Sequence, residues 1–524
     1  MPKLTIDSRE TNVPDGTNLI EAARTLGVEI PHFCYHPGLS VAGNCRMCLV
    51  EIEKVPRLQV ACNTTATEGM VVRTDSEKVR KARAGVMEFL LLNHPIDCPI
   101  CDCAGECRLQ DYYMEHDGKA SRLEEPKNRK AKAQPIGPHV MLDKERCILC
   151  SRCVRFTDEV TRTHELGIFG RGSVEEIGLA PGTSLDNAYS GCVVDLCPVG
   201  ALTDRDFRFV SRPWFLKSTD TVCAGCATGC SIVLDTNTKP YNRIGSDRAV
   251  RITPRLNPAV NGHWMCDRGR YSHKEVDRGR LRRAKAHGAE VSPEQGFASL
   301  VREIRDAMRA APGRAAFLLS PGLSNESLWA LRRLARLLGA GAPSGGVDLG
   351  PRGEGDDLLM SAELSPNVRG AADLGLGKPG RDLLEAAARG AYDCLVVVGA
   401  PVEEPLAREL AGKLRVFAGF YAVETPALEH YPWLFPLSLW AEEDGTFTNA
   451  KGRVQRLRKA LEPLAGARPA WAWARAWAQE LGLEPGPGSA EALFAAMAAE
   501  TVGYAGLDYA ALGDLGASTG AAGR

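Results

Sequence analysis

Thiolates are the side chains best suited to hold iron, and seventeen of the 18 cysteines lie within the first 266 residues. Together with one histidine, His94, fifteen of them sort into four quartets built around C-x-x-C pairs. A C-x-x-C turn sets two sulfurs on neighbouring metal sites and points backbone N–H groups inward. The remaining ligands then come from another loop or a distant segment, as iron–sulfur clusters require. Such pairs in a large chain with no secretory start favour metal thiolates in a reducing compartment over a disulfide framework.

The first quartet is Cys34, Cys45, Cys48 and Cys62. A C-x-x-C follows a lone cysteine, and the last ligand comes after a strand; this is the logic of a [2Fe–2S] ferredoxin loop, although the spacing is not the plant-type one. Gly43 suits a loop whose amides turn inward. Structural zinc uses the same pairs and is the competing reading.

The second quartet is His94, Cys98, Cys101 and Cys107. An imidazole in place of one thiolate removes a negative charge. At an effective dielectric of about 20 and a distance of about 4 Å that is worth roughly 4 kcal/mol, which raises a reduction potential as in Rieske centres. An all-cysteine set of Cys98, Cys101, Cys103 and Cys107 is the alternative; its C-x-C step is tight, and His94 is preferred.

The third quartet is Cys147, Cys150 and Cys153, completed by the distant Cys197-Pro198, a [4Fe–4S] pattern. Thr157 stands where a two-cluster ferredoxin would have a further cysteine, so one cluster is expected here. The fourth is Cys223, Cys226, Cys230 and Cys266, again suited to [4Fe–4S]. Cys192 is unassigned and reads as a small buried residue; Cys394 sits in an apolar run and reads as core.

The elements that position these ligands follow from periodicity. Residues 3–7 and 49–53 alternate as half-buried strands do, with a helix from Asn18 to Leu26 between them. Residues 76–92 carry apolar positions at helical spacing, and 117–139 read as an exposed connection. After residue 275 cysteine nearly vanishes. Ser292 through Gln295 form a capping box ahead of a helix to about residue 310. Strands at 315–319 and 394–399 alternate with helices at 325–338, 381–389 and 404–413, which predicts a parallel α/β sheet. The last 40 residues are rich in alanine and glycine, with a loose end expected from Gly513.

The chain has 524 residues and a formal net charge of −1, so no basic face for nucleic acid is implied. No apolar run approaches the roughly 20 residues that span a bilayer, and Met1 to Asp7 show no signal peptide. Membrane association is expected only through partners, on the cytoplasmic side. No G-x-G-x-x-G stands between a strand and a helix, so no dinucleotide site is assigned.

Two stretches, Asn93-His94-Pro95 through Leu109-Gln110-Asp111 and Val194-Asp195-Leu196-Cys197-Pro198-Val199-Gly200-Ala201-Leu202, together with the quartets, resemble the large iron–sulfur (G) subunit of bacterial NADH:quinone oxidoreductase, respiratory complex I. The resemblance covers about residues 1–275. It implies an α+β and α/β multidomain fold: an N-terminal β-grasp [2Fe–2S] ferredoxin domain (1–78), a [4Fe–4S] domain with one histidine and three cysteine ligands (79–118), a [4Fe–4S] ferredoxin-like domain (138–210) and a molybdopterin-oxidoreductase-type [4Fe–4S] domain (216–275). Residues 285–485, through Asn367–Gly375 and Glu443–Asn449, are similar to a shortened, degenerate molybdopterin-oxidoreductase α/β domain; 486–524 form an Ala/Gly-rich tail.

The implied cofactors are one [2Fe–2S] and three [4Fe–4S] clusters, the fourth off the main electron path, with no molybdenum. Glu443 and Asp444 read as a solvated turn rather than an acid–base pair. The implied activity is electron relay from a flavin/NADH-binding subunit towards quinone, coupled in the whole complex to proton translocation, with no complete substrate site on this chain. The implied partners are that flavin subunit, a small [2Fe–2S] subunit, a two-cluster ferredoxin-like subunit and other peripheral-arm subunits. The rival readings are the catalytic subunit of an NAD-linked formate dehydrogenase, the iron–sulfur part of an NAD-reducing hydrogenase, and a zinc scaffold.

Overall fold

A computed structural model describes residues 1–239, 241, 244–341 and 343–520. Met1–Leu216, joined by Tyr241 and Ile244, form one compact unit; the chain from Lys217 onward forms the second.

The first unit begins with a five-stranded mixed sheet, ordered Arg9–Asn12, Lys3–Ile6, Val71–Arg73, Leu49–Ile52, Gln59–Val60. Lys3–Ile6 and Val71–Arg73 run parallel, with Ile6 opposite Val72; the other pairs are antiparallel. The helix Leu19–Arg24 packs on this sheet and buries Leu19, Ile20, Ala22 and Ala23. It is shorter than the expected span because Asn18 is its cap, accepting from the Glu21 N–H at 3.1 Å. The 15-residue helix Glu77–Leu91 starts the same way, with Ser76 accepting from the Val79 N–H. The connection after residue 117 is exposed, yet it is fastened. Arg122 makes a bidentate pair with Glu88, and Lys127 Nζ donates to the carbonyls of Leu91 and His94, each at 2.7 Å.

The second unit opens with an antiparallel sheet of Lys217–Val222, Ser231–Thr236 and Ala249–Pro254. A six-stranded sheet follows, ordered Ala289–Val291, Ala284–Ala286, Trp433–Pro436, Val416–Tyr421, Cys394–Val398, Ala315–Leu319; the last four are parallel. Their unbroken apolar runs fit burial on both faces. One face packs on the helices Pro293–Ala310, Asn325–Leu337 and Ala470–Glu480, the other on Gly380–Ala388 and Glu404–Lys413. Cys394 is buried at the start of the strand Cys394–Val398, as expected of a core residue.

Two expectations fail here. The end of the chain is not loose from Gly513: Ala517 and Ser518 pair with Val454 and Arg453, and Arg453 donates to the carbonyls of Leu515 and Gly516. A local composition argument misses this, because the docking partner lies some sixty residues earlier. Residues 521–524 lie outside the described residues. Glu443 is also not part of a solvated turn; it is buried, and only Asp444 is exposed. No helix among the described residues is long and apolar enough to cross a membrane.

Candidate metal centres

The first quartet sits at the edge of the N-terminal sheet. Cys34, Cys45 and Cys48 come from the long loop before Leu49–Ile52, and Cys62 from the turn Ala61–Asn63. The loop is shaped by two left-handed residues, Gly43 (φ 62°) and Arg46 (φ 61°), which turn the chain around the sulfurs. The thiols gather into two touching pairs, Cys34 with Cys45 and Cys48 with Cys62, and Cys34 also reaches Cys62. Cys34 and Cys48 are held down by these sulfur hydrogen bonds; Cys45 and Cys62, which supply them, are pushed up. Two iron atoms bridged by sulfide, each with two thiolates, need such paired sulfurs.

The second quartet lies past the end of Glu77–Leu91. Cys107 precedes the helix Arg108–His116, whose first amides, with Cys103, draw its thiol down. Cys98 and Cys101 are pushed up by burial first. His94 is pushed down to about 4 by burial, so its ring is neutral at pH 7. The Ile96 N–H donates to His94 Nδ1 at 3.2 Å. Ile96 itself is left-handed (φ 48°), an outlying conformation for a β-branched residue. Cys103 touches Cys107 sulfur to sulfur, so the structure keeps both ligand sets for this quartet in view.

The third quartet is more enclosed. Cys147, Cys150 and Cys153 wrap a loop held by left-handed Leu149 (φ 54°) and Ser151 (φ 62°), and Cys197 follows the helix Cys192–Leu196. All four line one small cavity closed by Leu142, Ile148, Ile177, Val199, Ala201 and Leu202. Burial pushes Cys147, Cys150 and Cys197 up to about 11. Thr157 is buried with its hydroxyl donating to the Val154 carbonyl (2.9 Å), and Cys192 is buried outside the cavity lining.

The fourth quartet belongs to the second unit. Cys223 ends one strand, Cys230 precedes the next, and Cys223 N–H donates to the Cys230 carbonyl at 2.9 Å. With Cys226 and Cys266 they line an enclosed cavity beside Gly225, Met265, Arg268, Gly269 and Leu359. Burial pushes Cys223 up to about 12.

These side chains fit iron–sulfur groups. The buried thiols of Cys147, Cys150, Cys197 and Cys223, held neutral by an apolar wall, become good ligands only when cations take their protons' place. Amide N–H groups already aim at sulfur, each at 3.4 Å: Cys34 to Cys45, Leu149 to Cys147, Gly225 to Cys223 and Gly269 to Cys266. Among the described residues, no three His, Cys, Asp or Glu side chains gather closely enough for a single metal ion.

Quartets one to three share one apolar cluster, with Phe33, Met47, Met87, Leu109, Tyr112, Val199 and Ala201 packed among their sulfurs. Sequence reasoning missed the residues that hold them together. Arg146, just before Cys147, makes a bidentate pair with Asp97, just before Cys98, at 2.9 and 2.8 Å. That guanidinium, helped by Lys132, holds the Asp97 carboxyl far below the usual range. Gly200 is a tight joint: a Cβ there would come within 2.2 Å of Cys101 Sγ and 3.2 Å of Cys103 Cβ. Gly200→Ala is therefore expected to empty the second quartet while leaving the first filled, checked by iron content and by electron paramagnetic resonance (EPR) of each cluster. A full set of signals in the variant would refute this.

A cavity of about 520 Å³ lies elsewhere, at the carboxyl ends of the four parallel strands. Its walls include Ser320, Gly399, Tyr421, Ser438, Trp440 and Glu443, and no Cys, His, Lys or Arg lines it.

Comparison with known proteins agrees with this layout. Four family models match in chain order: a 2Fe-2S iron-sulfur cluster binding domain (residues 2–77), the NADH-ubiquinone oxidoreductase-G iron-sulfur binding region (83–122), the NADH-quinone oxidoreductase subunit 3 ferredoxin-like domain (137–203) and the molybdopterin oxidoreductase Fe4S4 domain (216–278). The NADH-quinone oxidoreductase G subunit of Streptomyces coelicolor is 40% identical over 338 residues, 64% of this chain and 39% of the relative. The G subunit of Rickettsia conorii is 37% identical over 341 residues, 65% of this chain and 50% of the relative. The mitochondrial NADH dehydrogenase [ubiquinone] iron-sulfur protein 1 of Solanum tuberosum is 43% identical over 285 residues, 54% of this chain and 37% of the relative. The chain thus spans half or less of the length of these curated relatives. Among solved structures, a chain of an NAD+-reducing [NiFe]-hydrogenase in its H2-reduced state is 31% identical, covering 39% of this chain and 87% of that one, with a TM-score of 0.36. On these sequence matches, the chain is similar to the G subunits of NADH-quinone oxidoreductase, and most of residues 2–278 matches iron–sulfur cluster-binding family models.

Proposed function

We propose that this chain is an electron-relay subunit of an NADH:quinone oxidoreductase. The observation that carries it is the single apolar cluster in which the thiols of three quartets are embedded, Cys34 and Cys45, Cys107, and Cys147, Cys150 and Cys197 among them. In this reading Cys34, Cys45, Cys48 and Cys62 hold a [2Fe–2S] cluster. His94, Cys98, Cys101 and Cys107 hold a [4Fe–4S] cluster, as do Cys147, Cys150, Cys153 and Cys197, and Cys223, Cys226, Cys230 and Cys266. Bound clusters supply one-electron stations. The protein groups ligate, exclude water and tune: Phe33, Met47, Leu109 and Tyr112 keep solvent out, and amide N–H groups aimed at sulfur favour a more negative core. A flavin/NADH-binding subunit delivers electrons, a two-cluster ferredoxin-like subunit accepts them on the way to quinone, and the chain is peripheral, on the cytoplasmic side, reaching the membrane through partners.

The second unit acts as a platform without molybdenum. Its only buried thiol outside the fourth quartet, among the described residues, is Cys394, held in the sheet, and its large cavity has no cationic side chain to meet a cofactor's phosphate. Anaerobic purification followed by metal and acid-labile sulfide analysis tests the whole assignment. The expected result is iron and sulfide for one two-iron and three four-iron clusters, without molybdenum; zinc with no sulfide would end it.

The choice between His94 and Cys103 is decided separately. Cys103→Ser is expected to keep all four clusters. His94→Cys is expected to keep the second cluster but lower its midpoint potential, because a thiolate restores the negative charge an imidazole lacks. Loss of that cluster in Cys103→Ser, with His94→Cys unchanged in potential, would exchange the two residues' roles.

A further inference from the structure

Arg152 lies between Cys150 and Cys153 in sequence, and its side chain crosses to the first quartet. Its Nη1 donates to the carbonyl of Leu196 at 3.1 Å, next to Cys197; its Nη2 donates to the carbonyl of Tyr35, next to Cys34. Both acceptors are neutral. The Nε is buried without a hydrogen-bond partner, and the part-buried guanidinium makes no ion pair with a carboxylate among the described residues. Arg155, one turn on, clamps the same seam through the carbonyls of Cys34 (2.6 Å) and Cys150 (3.4 Å).

A part-buried cation with no counter-ion is costly. Arg152 lines the cavity shared by Cys147, Cys150, Cys153 and Cys197, and its Nη2 reaches the residue that follows Cys34. The charge is therefore left for whatever negative group those sulfurs hold.

We propose that Arg152 is a shared potential-setting residue: its one guanidinium, bonded beside Cys197 and beside Cys34, raises the reduction potentials of the first and third clusters together. The proposal rests on the cluster assignment above. A thiolate-ligated cluster is already negative, and reduction adds one more electron. A fixed positive charge in a low-dielectric seam favours that reduced form, and one charge facing two centres moves both in the same direction. Arg152 touches no substrate; it is a positioning residue in the electrostatic sense, acting through the clusters.

EPR-monitored redox titration of the full chain, purified anaerobically with its clusters, tests this on Arg152→Gln and Arg152→Lys. The expected result is that both midpoints fall in Arg152→Gln, and that Arg152→Lys, which keeps the charge but not the two-carbonyl fork, holds both near the wild-type values. Unmoved midpoints in Arg152→Gln, or movement of one cluster alone, overturn the proposal. If Arg152→Gln loses clusters, the lysine variant decides. Clusters retained at wild-type potentials support the shared charge. Clusters lost, or retained at lowered potentials, reduce Arg152 to a structural tie and overturn it. Absence of either signal in the wild type would instead strike the cluster assignment, which separates the two failures.

Discussion

Cys150→Ala is expected to abolish the four-iron signal of the third quartet and to stop electron flow through the chain. Removing an outer partner of a metal ligand typically costs roughly 10–100-fold, and removal of a ligand from an enclosed cavity costs more. Cys150 shares that cavity with Cys147, Cys153 and Cys197, and the surrounding Leu142, Ile177 and Leu202 offer no substitute donor. In the assembled complex, NADH-dependent quinone reduction should fall by more than about 100-fold, while NADH oxidation by an artificial acceptor at the flavin persists. Cys266→Ala should empty only the fourth quartet and leave the quinone rate near wild type, since that cluster is proposed to lie off the path. Equal losses in both variants would show that path to be wrongly drawn.

Glu443→Gln is expected to stabilise the second unit at alkaline pH and do little at acid pH. Burial pushes Glu443 up to about 8 and Glu326 up to about 7, from 4.5, with Glu326 adding to the Glu443 shift. The neighbouring Glu442 is satisfied by Arg280 and Arg248, so no cation remains for Glu443, whose partners are the Ser438 and Ser324 hydroxyls. An acid with a raised folded pKa gives its full contribution below the unfolded value and loses it as pH rises through the folded one. The loss therefore runs from about pH 4.5 to just above 8. At about 1.4 kcal/mol per pKa unit, ionising a carboxyl shifted this far costs on the order of 5 kcal/mol. Denaturant titration followed by tryptophan fluorescence reports on this unit, whose Trp433, Trp473 and Trp477 are buried. The variant should gain about 4–5 kcal/mol at pH 8.5 and less than about 1 kcal/mol at pH 5. An unchanged pH slope would place the linkage elsewhere.

Much of this molecule was legible in its residues. Cysteine spacing is local chemistry, so each C-x-x-C loop could be read directly. The same holds for the cap Ser292, which accepts from the N–H three residues on, and for the apolar runs that became parallel strands. What stayed hidden depends on segments far apart in the chain. Arg152 gains its meaning only when Tyr35 folds beside it, and Gly200 only when Cys101 does. The burial of Glu443 likewise depends on Ser324, more than a hundred residues earlier. Ligand choice in the second group was ambiguous for a related reason: Cys103 stands next to Cys107 in space, and spacing alone cannot rank it against His94.

The Gly200 joint has a consequence for maintenance. The chain that delivers Cys197 runs against Cys101 with no room for even a methyl group between them. With the proposed clusters in place, a shift of either wall presses on the other, so damage at one of these two sites is expected to unsettle its neighbour.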